Sequence, residues 1–239
     1  MAKVPKEIRV LGIIPARGGS KSIPFKNIAN VGGKPLIYYT IREAKKSKLL
    51  DAFIVSTDSP KIAAVAKRHG ADAPFLRPGK FAKDNSPDIH FLRHALRWVK
   101  KHRGWDPELV VILRPTSPLR LARDIDRVIG VAFQKPCTMV RTVSPPRHNP
   151  FKMWHFRKDE SLRPLLPTRH YARLGTDVPR QRLPKVYWQN AAVDAIRAAN
   201  IRRGTIFAGP IYGVVMDSER SVDIDEPEDL RLAQNFLRG

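Results

Sequence analysis

The sequence of 239 residues predicts an α/β fold built on a mostly parallel sheet. Three observations predict it. Short apolar, strand-like runs alternate with helix-periodic segments from Val10 onward, the order of a βαβ chain. The first two equivalent strands lie about 40 residues apart, enough for one strand, one loop and one helix. Residues 109–113 are apolar at every position, as a central parallel strand buried on both faces requires.

Each element has its own signal. Val10, Leu11, Ile13 and Ile14 form the first strand, and Pro15 ends it because proline brings no N–H to a ladder. A glycine-containing loop over residues 16–27 follows. Over residues 35–48, Leu36, Ile37, Thr40, Ile41 and Ala44 recur at helical spacing. Lys45, Lys46 and Lys48 sit where a helix C-terminus favours cations. Residues 52–56 make a second strand. Ser59 is placed to cap a helix whose first residue is Pro60, which carries Ile62, Ala63, Val65 and Ala66 and stops at Gly70. Further helices are expected over 87–101 and 122–133, and a strand over 138–143. The pattern resumes with apolar 191–196 and 213–216, an acidic segment over 221–229, and an amphipathic helix running to Gly239.

Between these, residues 141–185 are rich in proline and arginine and weakly periodic, with eleven Lys/Arg against three Asp/Glu. Phe151, Met153, Trp154, Phe156, Tyr171, Tyr187 and Trp188 in and beside this stretch argue for order. We expect residues 141–188 to form an inserted arm or hairpin that packs on a partner subunit, within one domain spanning residues 1–239.

At 42% hydrophobic residues the chain has material for a core. No apolar run approaches the ~20 residues that cross a bilayer. The apolar stretch after Met1–Arg9 is too short for a signal-peptide core, so a cytoplasmic protein is expected. Cys137 is the single cysteine, which excludes an intrachain disulfide and a multi-cysteine metal site. The seven histidines show no zinc spacing. The formal net charge of +22 implies attraction to anions, whether nucleotide, nucleic acid or membrane surface, but is spread without a block of five like charges.

The most informative segment is residues 15–27, P-A-R-G-G-S-K-S-I-P-F-K-N, immediately after the first strand, where open α/β sheets bind ligands. Gly18 and Gly19 let backbone approach phosphate oxygens, and their amides with that of Ser20 suit an anion-binding nest. Arg17, Lys21 and Lys26 add three cations. It is neither a Walker A loop nor a G-x-G-x-x-G loop.

This segment resembles the P-A-R-x-G-S-K-x-x-P-x-K-N signature of the acylneuraminate cytidylyltransferases, the CMP-sialic acid synthetases and their relatives. Further segments resemble that family in order. They are Val55-Ser56-Thr57-Asp58; Phe75-Leu76-Arg77-Pro78 with Ala82-Lys83-Asp84; and Arg114-Pro115-Thr116-Ser117-Pro118-Leu119-Arg120. After them come Pro179-Arg180-Gln181 through Asn190, and Ser221-Val222-Asp223-Ile224-Asp225. The resemblance implies a doubly wound sheet of the nucleotide-diphospho-sugar transferase type, a homodimer built through the excursion, and a Mg²⁺-dependent transfer of CMP from CTP to a sugar. By the same resemblance Ala16, Arg17, Gly18, Gly19, Ser20, Lys21, Lys26, Asn27, Arg77 and Asp84 would contact the nucleotide. Arg17 and Lys26 would act with Asp223 and Asp225 in catalysis, and those two aspartates would bind Mg²⁺. Arg114, Thr116, Ser117, Arg180, Gln189, Asn190 and Asp194 would surround the acceptor sugar, with Arg180 reaching a neighbouring subunit's site.

The residue chemistry points the same way. Carboxylates two apart on a strand share a face, so Asp223 and Asp225 can converge on one hard, oxygen-seeking cation. They also precede Glu226-Pro227-Glu228-Asp229, so a capping role for the segment is the other reading. Phosphoryl transfer needs positioning and electrostatics and no covalent nucleophile, which matches a chain without an evident Ser-His-Asp set.

The chain departs from the family pattern where the acceptor is expected. Arg114 replaces a glutamine, Ala191 a glycine, Asp194 an aromatic residue and, near the base, Asp88 a small hydroxyl residue. Arg114 is thus expected either to fix an acidic group of the sugar by bidentate hydrogen bonds or to pair with Asp194. Two other readings remain open at the level of sequence: synthesis of an NDP-sugar from a sugar 1-phosphate, and nucleic-acid binding through charge, for which no recognition motif is present.

Overall fold

The computed structural model describes residues 7–166 and 178–238. Tyr171, and with it the middle of the expected arm, lies outside the described residues. In chain order the elements are β1 (Val10–Pro15), β2 (Asn30–Val31), β3 (Lys34–Pro35), α1 (Leu36–Lys46), β4 (Ala52–Ser56), α2 (Pro60–Arg68), α3 (Asp88–Arg103) and β5 (Leu109–Ile112). There follow α4 (Ala122–Gln134), β6 (Met139–Ser144), β7 (Trp154–Phe156), β8 (Leu162–Pro164), β9 (Trp188–Arg197), α5 (Ala198–Arg203), β10 (Ile211–Val215) and α6 (Pro227–Arg238).

Six strands form the main sheet in the order β10-β6-β9-β5-β1-β4. β4, β1 and β5 run parallel, as do β6 and β10, while the ten-residue β9 enters antiparallel between β5 and β6. The sheet is therefore mostly parallel. β5 is buried throughout, as its composition requires, but it has a parallel neighbour on one side only. Pro15 does not stand outside β1. It closes the strand in register with Ser56, and the next residue carries the ladder on through its own N–H, donated to the Ser56 carbonyl at 3.0 Å.

Alternation along the strands produces two apolar layers. Val10 and Ile14 of β1, with Val55, Leu109 and Val111, face α1, α2 and α4 through Ile37, Ile41, Ile62, Ile125 and Ile129. Leu11 and Ile13, with Ile54, Val110 and Ile112, face α3 and α5 through Leu92, Leu96, Val99 and Ile201. A third, smaller cluster joins Ile23, Val31, Leu36, Leu119, Val222, Ile224 and Ala233, tying the loop after β1 to the segment before α6.

The capping signals operate as read. The Ser59 hydroxyl accepts from the Ile62 N–H at 3.4 Å, with Pro60 opening α2. Residues 221–225, expected as a strand, form no strand. Val222 and Ile224 point into the third cluster, so the segment is held by side-chain burial instead of a ladder. The cap of α6 comes from Asp229, whose carboxylate accepts the N–H groups of Asp225 and Glu226 at 2.9 and 2.8 Å. β7 and β8 pair as an antiparallel hairpin with Trp154 opposite Pro164, and Phe156 stands 79% exposed on it.

Candidate active site

β1, β4 and β5 are parallel, so their C-terminal ends share one edge of the sheet. The loops leaving that edge enclose a cleft of about 330 Å³, within the size range of small-ligand pockets. Of the residues singled out in the sequence, Arg17, Ser20, Lys26, Asn27, Arg77, Asp84, Arg114, Thr116, Asp223 and Asp225 line it, with Ala191 and Asp88.

Each cation of the loop after β1 is held by a carboxylate. Arg17 pairs with Asp84, and Lys21 Nζ lies 2.9 Å from the same side chain. The hydrogen bonds from Lys21, then Arg17, hold the Asp84 carboxyl below its ordinary value. Lys26 Nζ donates to Asp225 Oδ1 at 2.9 Å and to the Ile224 carbonyl at 2.7 Å, and Ser22 Oγ donates to the Asp225 carbonyl at 2.6 Å. Two stretches some two hundred residues apart in sequence are thereby locked across the cleft. Asn27 is buried and donates to the Arg17 carbonyl at 3.0 Å, fixing the loop's course.

Several assigned roles change in three dimensions. The amide nest is not assembled. The Gly18 N–H donates to Asp58 Oδ1 at 2.8 Å and the Ser20 N–H to the Gly18 carbonyl at 3.2 Å, because those donors find partners within the loop and the next βα turn. Ala16 is fully buried and extends the strand pairing, and Gly19 and Lys21 lie outside the cleft lining. Arg77 reaches the cleft wall, but its donors are taken by the Ser56 hydroxyl and carbonyl and by the Phe81 carbonyl. Its guanidinium lies 4.9 Å over the Phe91 ring, and burial pushes it down to about 10.

The expected acceptor residues separate into three groups. Thr116 lines the cleft and binds the Asp223 segment, accepting the Ile224 N–H at 2.8 Å. Ser117 and Asn190 are buried outside it. Asn190 accepts from the Thr142 hydroxyl at 2.7 Å and donates to Ser144 and Ser221 at 2.9 and 3.0 Å, joining β9, β6 and the 221–225 segment. Arg180 lies in a separate groove with Pro145, Leu183 and Tyr187.

Arg114 does not present a free cation. Its Nη2 donates to Asp88 Oδ2 at 2.5 Å and its Nη1 to Asp194 Oδ2 at 3.0 Å. Burial works against its charge, but the two carboxylates outweigh burial and raise it above the ordinary value. Asp194 also accepts from Arg141 Nε at 3.1 Å, and Arg141 Nη1 donates to Gln189 Oε1 at 2.5 Å. The pairing expectation thus holds for Arg114, and Gln189 and Asp194 stand behind it, away from the cleft.

Asp223 and Asp225 meet at the cleft in unlike states. Asp223 is deeply placed and its Oδ1 has no partner, whereas the Asp225 side chain is 73% exposed. Burial, chiefly, pushes the Asp223 carboxyl up from 3.8, and Asp225 adds to this. An orphaned buried carboxylate oxygen beside a second carboxylate is a hard-oxygen donor pair that suits Mg²⁺, which takes one or two protein carboxylates and completes its shell with phosphate and water. Among the described residues no group of three or more His, Cys, Asp or Glu side chains could hold a metal.

Sequence reasoning missed Asp58, Arg141 and Arg120. Arg120 is fully buried and donates to the Arg114 and Ala192 carbonyls at 3.1 and 2.6 Å and to Thr40 Oγ1 at 2.6 Å, tying the turn after β5 to β9 and α1. A charge directly after the apolar pair Met139-Val140 within β6 was the available signal for Arg141.

The family model described as Cytidylyltransferase matches residues 11–150. The CMP-N,N'-diacetyllegionaminic acid synthase of Legionella pneumophila is 32% identical over 96% of this chain and 97% of its own. The N-acylneuraminate cytidylyltransferase of Escherichia coli is 31% identical over 94% of this chain, which spans 51% of that protein. In fold, the CMP:2-keto-3-deoxy-manno-octonic acid synthetase solved with CTP superposes with a TM-score of 0.71 over 96% of this chain and 98% of that one, at 14% identity.

Proposed function

This chain belongs to the cytidylyltransferase family, and from that premise we propose that it transfers CMP from CTP to an acidic, sialic-acid-like sugar and releases pyrophosphate. The observation that carries the reading is the meeting of a cationic loop, Arg17 and Lys26, with the carboxylates Asp223 and Asp225 in one nucleotide-sized cleft.

The ligand-free pairs give the binding step its logic. A triphosphate in the cleft competes with Asp84 for Arg17, and with Asp225 for Lys26, offering more negative charge than either carboxylate. Lys26 then holds phosphate, and Asp223 with the released Asp225 would be the residues to hold a cation. We propose Mg²⁺ as the cofactor, which when bound neutralises charge on the phosphate oxygens. The acceptor hydroxyl forms its bond to the α-phosphorus in line, the α–β bridging P–O bond breaks, and pyrophosphate leaves with the electron pair. The hydroxyl proton passes to solvent. Arg17 and Lys26 stabilise the charge that moves onto the leaving phosphates.

We further propose a homodimer through the 141–188 arm and a cytoplasmic location, where CTP is available. Phe156, Trp154 and Tyr187 are exposed on the arm and at its base, and Arg180 lies outside its own chain's cleft, which suits a role across the interface. No helix among the described residues is long and apolar enough to cross a membrane. Light scattering should give a two-chain mass, and Trp154→Ser with Phe156→Ser should give one chain; a monomeric wild type refutes the dimer.

The deciding assay is pyrophosphate release with CTP, UTP, GTP, ATP or dTTP against acidic sugars and sugar 1-phosphates, with and without Mg²⁺. Release is expected with CTP and an acidic sugar, requiring Mg²⁺ and lost in Asp223→Ala. Release with a sugar 1-phosphate alone transfers the protein to NDP-sugar synthesis. No release with any acceptor overturns the reading.

A further inference from the structure

Three positions where the chain departs from the family pattern, Asp88, Arg114 and Asp194, are joined into one chain of ion pairs, which continues through Arg141 to Gln189. The chain has a direction. Asp194 is 2% exposed at its side chain and spends both oxygens on guanidinium groups. Arg114 is 24% exposed and is enclosed by two carboxylates. Asp88, the first residue of α3, is the most exposed member of the three at 38%, and it lines the cleft. Its Oδ2 is held by Arg114, while its Oδ1 has no hydrogen bond among the described residues.

We propose that Asp88, and not Arg114, is the group this wall offers to substrate, and that it selects a substrate carrying an N–H donor. A carboxylate oxygen only accepts hydrogen bonds, so it welcomes an amine or amide N–H and repels a carbonyl, carboxylate or phosphate oxygen. Arg114 is then a positioning residue: its fork fixes the Asp88 carboxylate in one rotamer, and Asp194 with Arg141 fixes the fork. Phe81 and Phe91 line the same cleft as Asp88. Two sources present such a donor: the exocyclic amine of cytosine, which uracil replaces with a carbonyl, and an amide or amine on the acceptor sugar.

The proposal rests on the nucleotide-transfer reading for its substrates, but its first readout needs no acceptor. Calorimetry measures CTP and UTP affinity in wild type, Asp88→Asn, Asp88→Ala and Arg114→Gln; acceptor KM is measured at saturating CTP. If the donor is the base amine, Asp88→Ala lowers the CTP-to-UTP affinity ratio about ten- to a hundredfold, the worth of one carboxylate–cytosine contact. Arg114→Gln lowers it less, since the accepting group remains. If the donor is on the sugar, that ratio stays and the acceptor's KM rises by a similar factor. Asp88→Ala with both quantities unchanged overturns the proposal. So does equal weakening of CTP, UTP and acceptor, which marks a wall prop without selectivity. A wild type that binds CTP but accepts no acidic sugar defeats the proposed function while the nucleotide arm still decides on Asp88.

Discussion

Asp223 shows how far a single side chain can be set against stability for a purpose. Its burial raises the carboxyl above 3.8, so the folded state binds its proton more tightly than the unfolded chain does. The stability this contributes is present at low pH and is lost as pH rises through the raised folded-state value. Asp223→Asn removes the cost of the ionised form. The expected outcome at pH 7 is a ligand-free thermal midpoint equal to or above wild type together with loss of turnover, checked by scanning calorimetry and pyrophosphate release. Ala191 is a second residue under tension: it sits on the cleft with φ 54°, a left-handed conformation that costs a non-glycine residue about 1 kcal/mol. Ala191→Gly removes that strain but frees the unfolded chain by a comparable amount. Its unfolding free energy should change by less than about 1 kcal/mol in denaturant titration, and a larger loss would show that the methyl group is a packing contact. At this scale the sequence was legible where charge type decides, as with Lys26, Asp223 and Asp225. It was not legible at Arg77 and Asn190, whose polar atoms are taken by carbonyls and hydroxyls from other strands.

Between elements, a largely buried ion pair ties α4 to the site. Asp124, in the first turn of α4, accepts the Leu121 N–H at 2.9 Å and receives the Arg220 guanidinium, with Nη2 at 3.2 Å from Oδ1. Arg220 precedes the segment that carries Asp223, so α4 anchors the Asp223 and Asp225 carboxylates through this contact. Asp124 is 1% exposed, while Arg220 is 20% exposed and would keep Asp217 at 3.0 Å, so removing Asp124 falls at the low end of the about 3–5 kcal/mol that breaking a buried pair costs. Asp124→Ala should lower stability by about 3 kcal/mol, seen in denaturant midpoints, and weaken catalysis at temperatures where the fold persists. Asp124→Asn, which keeps the cap acceptor, should recover part of the loss. On α3, burial first and then Arg77 and Arg97 push the His94 imidazole below 6.5. The stability that neutral His94 gives is complete above 6.5 and falls as pH drops below it, since the unfolded chain takes the proton first. The wild-type midpoint should therefore fall between pH 7.5 and 5.5, and His94→Leu should fall less. Elements were well legible in the sequence because periodicity reports which face is apolar. Residues 221–225 were the exception: alternating burial reads as a strand whether or not a neighbouring strand supplies the ladder.

For the molecule as a whole, 44 Lys and Arg against 22 Asp and Glu leave a self-repelling surface. Raising salt from about 0.01 M to 0.1 M shortens the screening length from about 30 to about 10 Å, so the thermal midpoint should rise over that range. Retention on an anionic resin should weaken in parallel, and a midpoint that falls with salt would show that stabilising ion pairs outweigh the repulsion. Composition and order alone determined that this chain folds as a layered α/β sheet with a cationic loop after its first strand and two carboxylates near its end. Those features are local, and hydrophobic alternation or charge type announces them. Only the tertiary structure decided that β9 runs antiparallel through the sheet and that Lys26 meets Asp225. It alone decided that Arg114 is neutralised by Asp88 and Asp194, and that Asp88 is left facing the cleft. Those partners come from stretches tens to hundreds of residues apart, and which of two charges is satisfied and which is offered depends on the packing that brings them together.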